Sequence, residues 1–232
     1  MNFYKNVIEH RGKLLVRGIH DGKEYKEKID YSPTLYAITQ QQTDFQTLHG
    51  QYVKPIQFGN ISKAREFRRN YNTDNAPIFG MDRYQYQYIS DNFPNTIEYS
   101  KDHIKIFTVD IECACENGFP DVENPVEEIL AVTVKNQSNK QIITWGTGEF
   151  KTDRSDVTYI RCKSEKSLIM EFMKFWIKNY PDIITGWNTK FFDIPYLMNR
   201  ICHIVDEKVI KRFSPWNLVE RESIVVRGRP QT

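Results

Sequence analysis

Asp110 and Glu112 close the apolar run IKIFTVDIE, Ile104 to Glu112, and Asp193 closes NTKFFD, Asn188 to Asp193. The first run is β-branched and aromatic with no Gly or Pro inside it, which predicts a buried strand. Side chains alternate across a strand, so Asp110 and Glu112 share one face while Val109 and Ile111 take the other. Positions two apart on a strand have Cα atoms roughly 6.5 Å from one another, a span that two carboxylates close by reaching to one or two hard cations. Hydrolysis of a phosphodiester needs hydroxide at neutral pH and stabilisation of the leaving oxygen, and two Mg2+ ions about 3.5–4 Å apart supply both. Carboxylate oxygens are the ligands such ions take.

Each motif also has a simpler reading. A strand tip ends in acids merely because it reaches solvent, and D-x-E arises by chance in many chains. Asp193 precedes IPYLMNRI, Ile194 to Ile201, which reads as a helix, so taken singly it is an N-cap. The two contexts together favour metal chemistry. DIITGWN, Asp182 to Asn188, is a second short apolar segment that breaks at Gly and Asn before that helix. Strand, turn and helix N-terminus would set Asp193 beside the end of a neighbouring strand, where the helix dipole also favours phosphate.

The elements that must position these groups divide near residue 100. Before it, LLVR (Leu14 to Arg17) and EYKEKI (Glu24 to Ile29) flank Asp21-Gly22, a hairpin signal. TLYAI, Thr34 to Ile38, predicts another strand, and SKAREFRRNY, Ser62 to Tyr71, a helix carrying Lys63, Arg65, Arg68 and Arg69. Those basic residues read first as a solvated helix face and second as phosphate contacts. Tyr84, Tyr86 and Tyr88 alternate with Gln85 and Gln87, which predicts a strand with one aromatic face, packed inward or offered to bases. The expectation is a small α+β amino-terminal domain over residues 1–100.

After residue 100, Ile104 to Glu112, EILAVTV (Glu128 to Val134) and QIITW (Gln141 to Trp145) predict an antiparallel meander. Between Ser164 and Asn179, Leu168, Phe172, Phe175 and Trp176 recur at i, i+4, i+7 and i+8, an amphipathic helix that Pro181 ends. The strand Ile183 to Thr185 and the helix from Ile194 follow. A net charge of +2 does not advertise nucleic-acid binding, so any attraction to DNA must come from local patches. With 40% hydrophobic and 13% aromatic residues the chain can bury a sizeable core. No secretion signal and no run of about eighteen apolar residues is present. Cys113, Cys115, Cys162 and Cys202 form no C-x-x-C pair, which argues against a zinc ribbon and for a reducing compartment.

On the D-I-E of Asp110 to Glu112 and the N-x-x-x-F-D of Asn188 to Asp193, the chain resembles the amino-terminal part of family B DNA polymerases. The T-even-type bacteriophage members are the nearest in pattern. IITGWN from Ile183, FDIPYLMNRI from Phe192, GMD from Gly80 and YISD from Tyr88 look like that family as well, so the resemblance covers nearly the whole chain. It implies that residues 101–232 are part of a 3′-to-5′ proofreading exonuclease with an α/β ribonuclease-H-like (DnaQ-like) fold and a mixed sheet. It further implies two Mg2+ or Mn2+ ions held by Asp110, Glu112 and Asp193, and a single-stranded 3′ end gripped by Gly186, Trp187, Asn188 and Phe192. Trp187 and Phe191 read equally well as core residues. Primer-template DNA is the implied partner, and the cytoplasm of an infected bacterial host the implied location, with no membrane association.

The sequence also departs from that family. Its members carry a third motif, Y-x-x-x-D, but Tyr196 has Arg200 at that offset. For the variant H-x-x-x-x-D, the residue five positions after His203 is Lys208. Asp206 and Glu207 are substitutes only if they are not a solvated helix end. The polymerase palm motifs are missing, and IVVRGRPQT, Ile224 to Thr232, comes before the last strand and helices of the implied fold. The expectations are therefore an incomplete exonuclease domain, a partner in the form of a separate carboxy-terminal polymerase piece, and weak or no hydrolysis by this chain alone. The alternative is a non-catalytic single-stranded nucleic-acid-binding or assembly subunit.

Overall fold

The computed structural model describes residues 1–73, 77–221, 224–226 and 229–231. Two compact units emerge, Met1–Ser100 and Lys101–Thr232, each with its own buried apolar cluster.

In the first unit, β1 (Phe3–His10), β2 (Lys13–His20) and β3 (Lys23–Ile29) form an antiparallel meander. Both links are two-residue turns with positive φ throughout, 50° and 74° at Arg11-Gly12 and 49° and 75° at Asp21-Gly22. That is the backbone of a type I′ hairpin, whose twist matches the strands it joins. A second sheet has the order β5 (Val53–Gln57), β4 (Thr34–Ile38), β6 (Ile78–Phe79). The helices are α1 (Ile61–Thr73) and α2 (Tyr84–Asn92). Leu14, Val16, Leu35, Ile61, Ala64, Tyr84 and Tyr88 form the core. On α1, Arg65 pairs with Glu9 and Arg68 donates to the Gly80 carbonyl.

The strand expected at Tyr84, Tyr86 and Tyr88 is instead α2. A strand would have turned all three rings to one side, whereas on a helix i and i+4 share a face and i+2 is opposite. Tyr84 and Tyr88 are accordingly buried and Tyr86 is exposed. The alternating glutamines follow the same helical geometry. Buried Gln87 accepts from the Thr34 N–H at 3.2 Å and donates to its carbonyl at 2.7 Å, pairing with β4 through a side chain.

In the second unit, β7 (Ile106–Cys113), β8 (Ile129–Asn136) and β9 (Ile142–Gly146) form the expected antiparallel meander. The full sheet runs β10 (Val157–Arg161), β9, β8, β7, β11 (Ile183–Thr185). β10 is parallel to β9 and β11 parallel to β7, so the sheet is mixed. β10, with Arg and Thr interrupting a short apolar segment, was not anticipated. Two helices carry most of the covering apolar surface, α3 (Glu165–Asn179) and α4 (Asp193–Ile204), followed by the short α5 (Glu207–Ile210). Ser164 and Ser167 close a reciprocal capping box at the start of α3. Phe107, Val109 and Ile111 of β7 pack with Leu168, Phe172 and Trp176 of α3 and Tyr196, Leu197 and Ile201 of α4. β12 (Ile224–Val226) and β13 (Arg229–Gln231) pair with each other. Among the described residues no helix is long and apolar enough to cross a membrane, and all four cysteines are free.

Candidate active site

The strand alternation read from the sequence holds at β7. Phe107, Val109 and Ile111 are buried while Asp110 and Glu112 are exposed. β11 runs beside β7 only as far as the pair Thr185↔Thr108. Beyond that point the β7 edge is open to other partners, and the Ile111 N–H donates to Asp193 Oδ1 at 3.1 Å. The carboxylate of Asp193 is thereby held against the residue that lies between Asp110 and Glu112.

The turn from β11 into α4 makes this approach possible. A Cβ built at Gly186 would lie 2.0 Å from Thr189 Oγ1 and 2.6 Å from the Val109 carbonyl, so only glycine lets the chain pass so close to β7. Asn188 then adopts φ 55°, a left-handed conformation that Asn tolerates. Its carbonyl accepts from the N–H groups of Phe191 and Phe192, both at 2.9 Å. The chain thus winds directly into α4. Asp193 is not the N-cap that its position suggested. It is the first helical residue, Phe192 occupies the cap, and the Asp193 side chain reaches across to β7.

Asp193 is only 3% exposed. Burial pushes its carboxyl above the usual range, the Ile111 N–H opposes that, and the negative charges of Asp110 and Glu112 push further upward. A buried carboxyl whose ionisation is disfavoured by burial and by two neighbouring carboxylates is a setting in which a cation is stabilised. Cys113 belongs to the same surroundings. Burial, then Glu112, Glu165 and Asp193, push its thiol up to about 12, which leaves it protonated and a poor ligand or nucleophile. The donor set of Asp110, Glu112 and Asp193 is all carboxylate and suits hard divalent ions. Among the described residues, however, no group of three His, Cys, Asp or Glu side chains is drawn together closely enough to hold an ion.

Beside the carboxylates lies an aromatic surface. Trp187 is 92% exposed and Phe191 38%, so neither is the core residue that its size suggested. Their exposure follows from the Gly186–Asn188 turn, which carries the chain outward before α4 begins. Phe192 is half-buried, stacked on Tyr196 at 5.5 Å and tilted against Phe119 at 5.4 Å. Phe119 itself is 86% exposed, and the sequence reading did not single it out. Its signal was present: a lone large aromatic in a polar Gly- and Pro-containing loop shortly after an acidic strand end. Two of the residues considered for a third motif, Tyr196 and Asp206, have other work. The Tyr196 hydroxyl donates to the Glu127 carbonyl at 2.7 Å, and Asp206 caps α5 by accepting from the Lys208 N–H at 2.6 Å.

Residues 46–227 match a sequence model described as DNA polymerase family B, exonuclease domain. The DNA-directed DNA polymerase of Enterobacteria phage T4 is 27% identical over 96% of this chain and 28% of its own length. The polymerase of Escherichia phage RB69 is 28% identical over 92% of this chain and 27% of its own length. The DNA polymerase delta catalytic subunit of Dictyostelium discoideum is 35% identical over 55% of this chain and 13% of its own length. The chain therefore spans just over a quarter of the two phage relatives.

Proposed function

The chain belongs to DNA polymerase family B, through the exonuclease domain of that family, and from this premise we propose that it is the amino-terminal and proofreading part of a phage DNA polymerase. Residues 1–100 are its amino-terminal domain, and residues 101–232 carry part of a ribonuclease-H-like 3′-to-5′ exonuclease. Asp110, Glu112 and Asp193 are the ligands that would hold divalent cations, Mg2+ or Mn2+. The observation that carries this reading is the 3.1 Å hydrogen bond from Ile111 to Asp193, which joins the two acidic motifs across the open edge of β7.

When bound, two such ions supply an activated water and neutralise charge on the departing oxygen. The chain's own residues do the rest. The exposed carboxylates of Asp110 and Glu112 would hold cations on the solvent side, where the phosphate arrives, while buried Asp193 is held by the Ile111 N–H. Trp187, Phe192 and Phe119 offer ring faces to unpaired bases, a form of contact that tolerates any sequence and so suits the removal of whichever nucleotide is mismatched. Asn188 and Gly186 shape the turn that presents those rings. The substrate is a frayed 3′ end of primer-template DNA, the product a nucleoside monophosphate, and the setting the cytoplasm of an infected bacterial cell.

Asp110→Ala in the assembled polymerase tests the proposal. Excision of a mismatched 3′ terminus should fall by at least about 100-fold, the scale on which loss of one transition-state electrostatic partner acts. Wild-type excision by the purified variant would sink it. A second reading is favoured by the absence, among the described residues, of a preformed three-ligand cluster. In that reading this chain alone is a non-catalytic single-stranded DNA-binding subunit that works with a separate carboxy-terminal polymerase piece. Titration of Mn2+ with and without single-stranded DNA separates the two, because only the nuclease needs the cation at its carboxylates.

A further inference from the structure

Arg200 stands where a third acidic motif was sought, and its surroundings give it a different task. It is 6% exposed and forms a two-pronged pair with Glu165, itself 8% exposed, through Nε and Nη2 at 2.7 Å each. Its remaining prong, Nη1, donates to the carbonyls of Pro125 and Val126, both at 2.9 Å. Glu165 Oε1 also accepts from the Ile129 N–H at 2.8 Å, at the start of β8. One guanidinium therefore joins α4 to the start of α3 and to the loop 114–128.

Other side chains of α4 grip the same loop. Tyr196 donates to the Glu127 carbonyl and Asn199 Nδ2 to the Val122 carbonyl at 2.8 Å. The loop closes on itself through Glu127, whose carboxylate accepts from the N–H of Glu116, the N–H of Asn117 and the Asn117 side chain. At its outer end the loop presents Phe119 to Phe192, the residue before Asp193. A buried ion pair is costly to desolvate, and apolar side chains of like volume would fill the space at lower cost. What the fork adds is direction, because its planar donors set where two particular carbonyls lie.

We infer that Arg200 is a positioning residue that holds the loop 114–128, and with it Phe119, over the end of the bound strand. The inference rests on the nuclease-site reading above. Arg200 spends its donors on Glu165 and on the Pro125 and Val126 carbonyls, away from Asp110, Glu112 and Asp193. The seat of α4 on β7 is made separately, by Asp193 on the Ile111 N–H and by Leu197 and Ile201 in the core. Arg200→Lys keeps the charge opposite Glu165 but loses the planar fork. The loop should loosen while the helix stays seated.

The test measures binding of a fluorescent oligothymidylate about 8 nucleotides long by the full chain in Ca2+, beside its thermal transition. Arg200→Lys should weaken binding about tenfold at a temperature where the variant is fully folded, as should Phe119→Ala, since each removes roughly one stacking contact. The double variant should be no weaker than either single one, because both act through the same ring. A lowered transition temperature with unchanged affinity for Arg200→Lys would reduce the residue to a structural role and overturn the inference. If Phe119→Ala leaves affinity unchanged, the ring makes no stacking contact and the inference falls, whereas the nuclease reading is overturned only by wild-type excision in Asp110→Ala.

Discussion

Asp193 and Gly186 depend on each other. The carboxylate reaches the Ile111 N–H only because the chain before it passes β7 at a distance that no side chain permits. Gly186→Ala places its new methyl against Thr189 Oγ1 and the Val109 carbonyl. Backbone at 2.6 Å cannot rotate away as a side-chain tip can, so the turn itself must shift. The expected cost is about 1–3 kcal/mol, a fall in the thermal midpoint readable by circular dichroism. Excision by the assembled polymerase should fall more than stability does, since Asp193 moves with the turn. An unchanged midpoint would mean that the approach of Gly186 to β7 is looser than described. Trp187 belongs to the same turn, and its exposure is a consequence of the path taken between Gly186 and Asn188.

At the scale of elements, α4 does two things with one buried face, along which Asp193, Tyr196, Leu197, Arg200 and Ile201 recur at helical spacing. Tyr196, Leu197 and Ile201 are fully buried against the sheet and α3, while the first turn delivers Asp193 to the edge of β7. Leu197→Ala leaves the polar network intact and removes packing alone. A cost of about 2–5 kcal/mol is expected from the lost burial and the cavity left behind, measurable as an earlier denaturation midpoint with an unchanged slope. A loss well below that range would show that α4 is held chiefly by its polar contacts. β11 is as important and much shorter. By ending at Thr185 it leaves the Ile111 N–H unclaimed by the sheet, and a carboxylate takes the place of a strand. Phe119 and Phe192 come together because α4 and the loop 114–128 are bonded along their shared length.

For the whole molecule, the two units have separate cores: Leu14 to Tyr88 in one, Phe107 to Ile210 in the other. A chain that starts at Lys101 should therefore unfold in a single cooperative calorimetric transition, since small domains with one core behave so. A broad, non-cooperative melt of that truncated chain would show that residues 1–100 are needed to complete its core. The two halves also differ in what their surfaces offer. In the first, Arg65 and Arg68, half of the basic set read on α1, are engaged within the unit by Glu9 and the Gly80 carbonyl. In the second, acids and exposed rings gather along one end of a mixed sheet.

Much of this was legible in the residues alone, and the reason is distance along the chain. The alternation that sends Asp110 and Glu112 outward, the Asp21-Gly22 hairpin, the amphipathic α3 and the order of the sheet's first three strands are written in neighbours a few positions apart. Steric preference and burial act on them directly. The Tyr84 to Tyr88 segment misled because period-2 spacing also contains an i, i+4 pair, and only the core into which Tyr84 and Tyr88 pack decides between them. β10 was missed since its polar residues mask a strand that forms by pairing with β9. Tertiary structure alone decided that Asp193 bonds across 82 residues to Ile111, that Arg200 clasps the loop after β7, and that Phe119 meets Phe192. No local propensity encodes where a chain returns. That depends on which apolar faces exclude water together, and on which polar groups must then find partners in the space that remains.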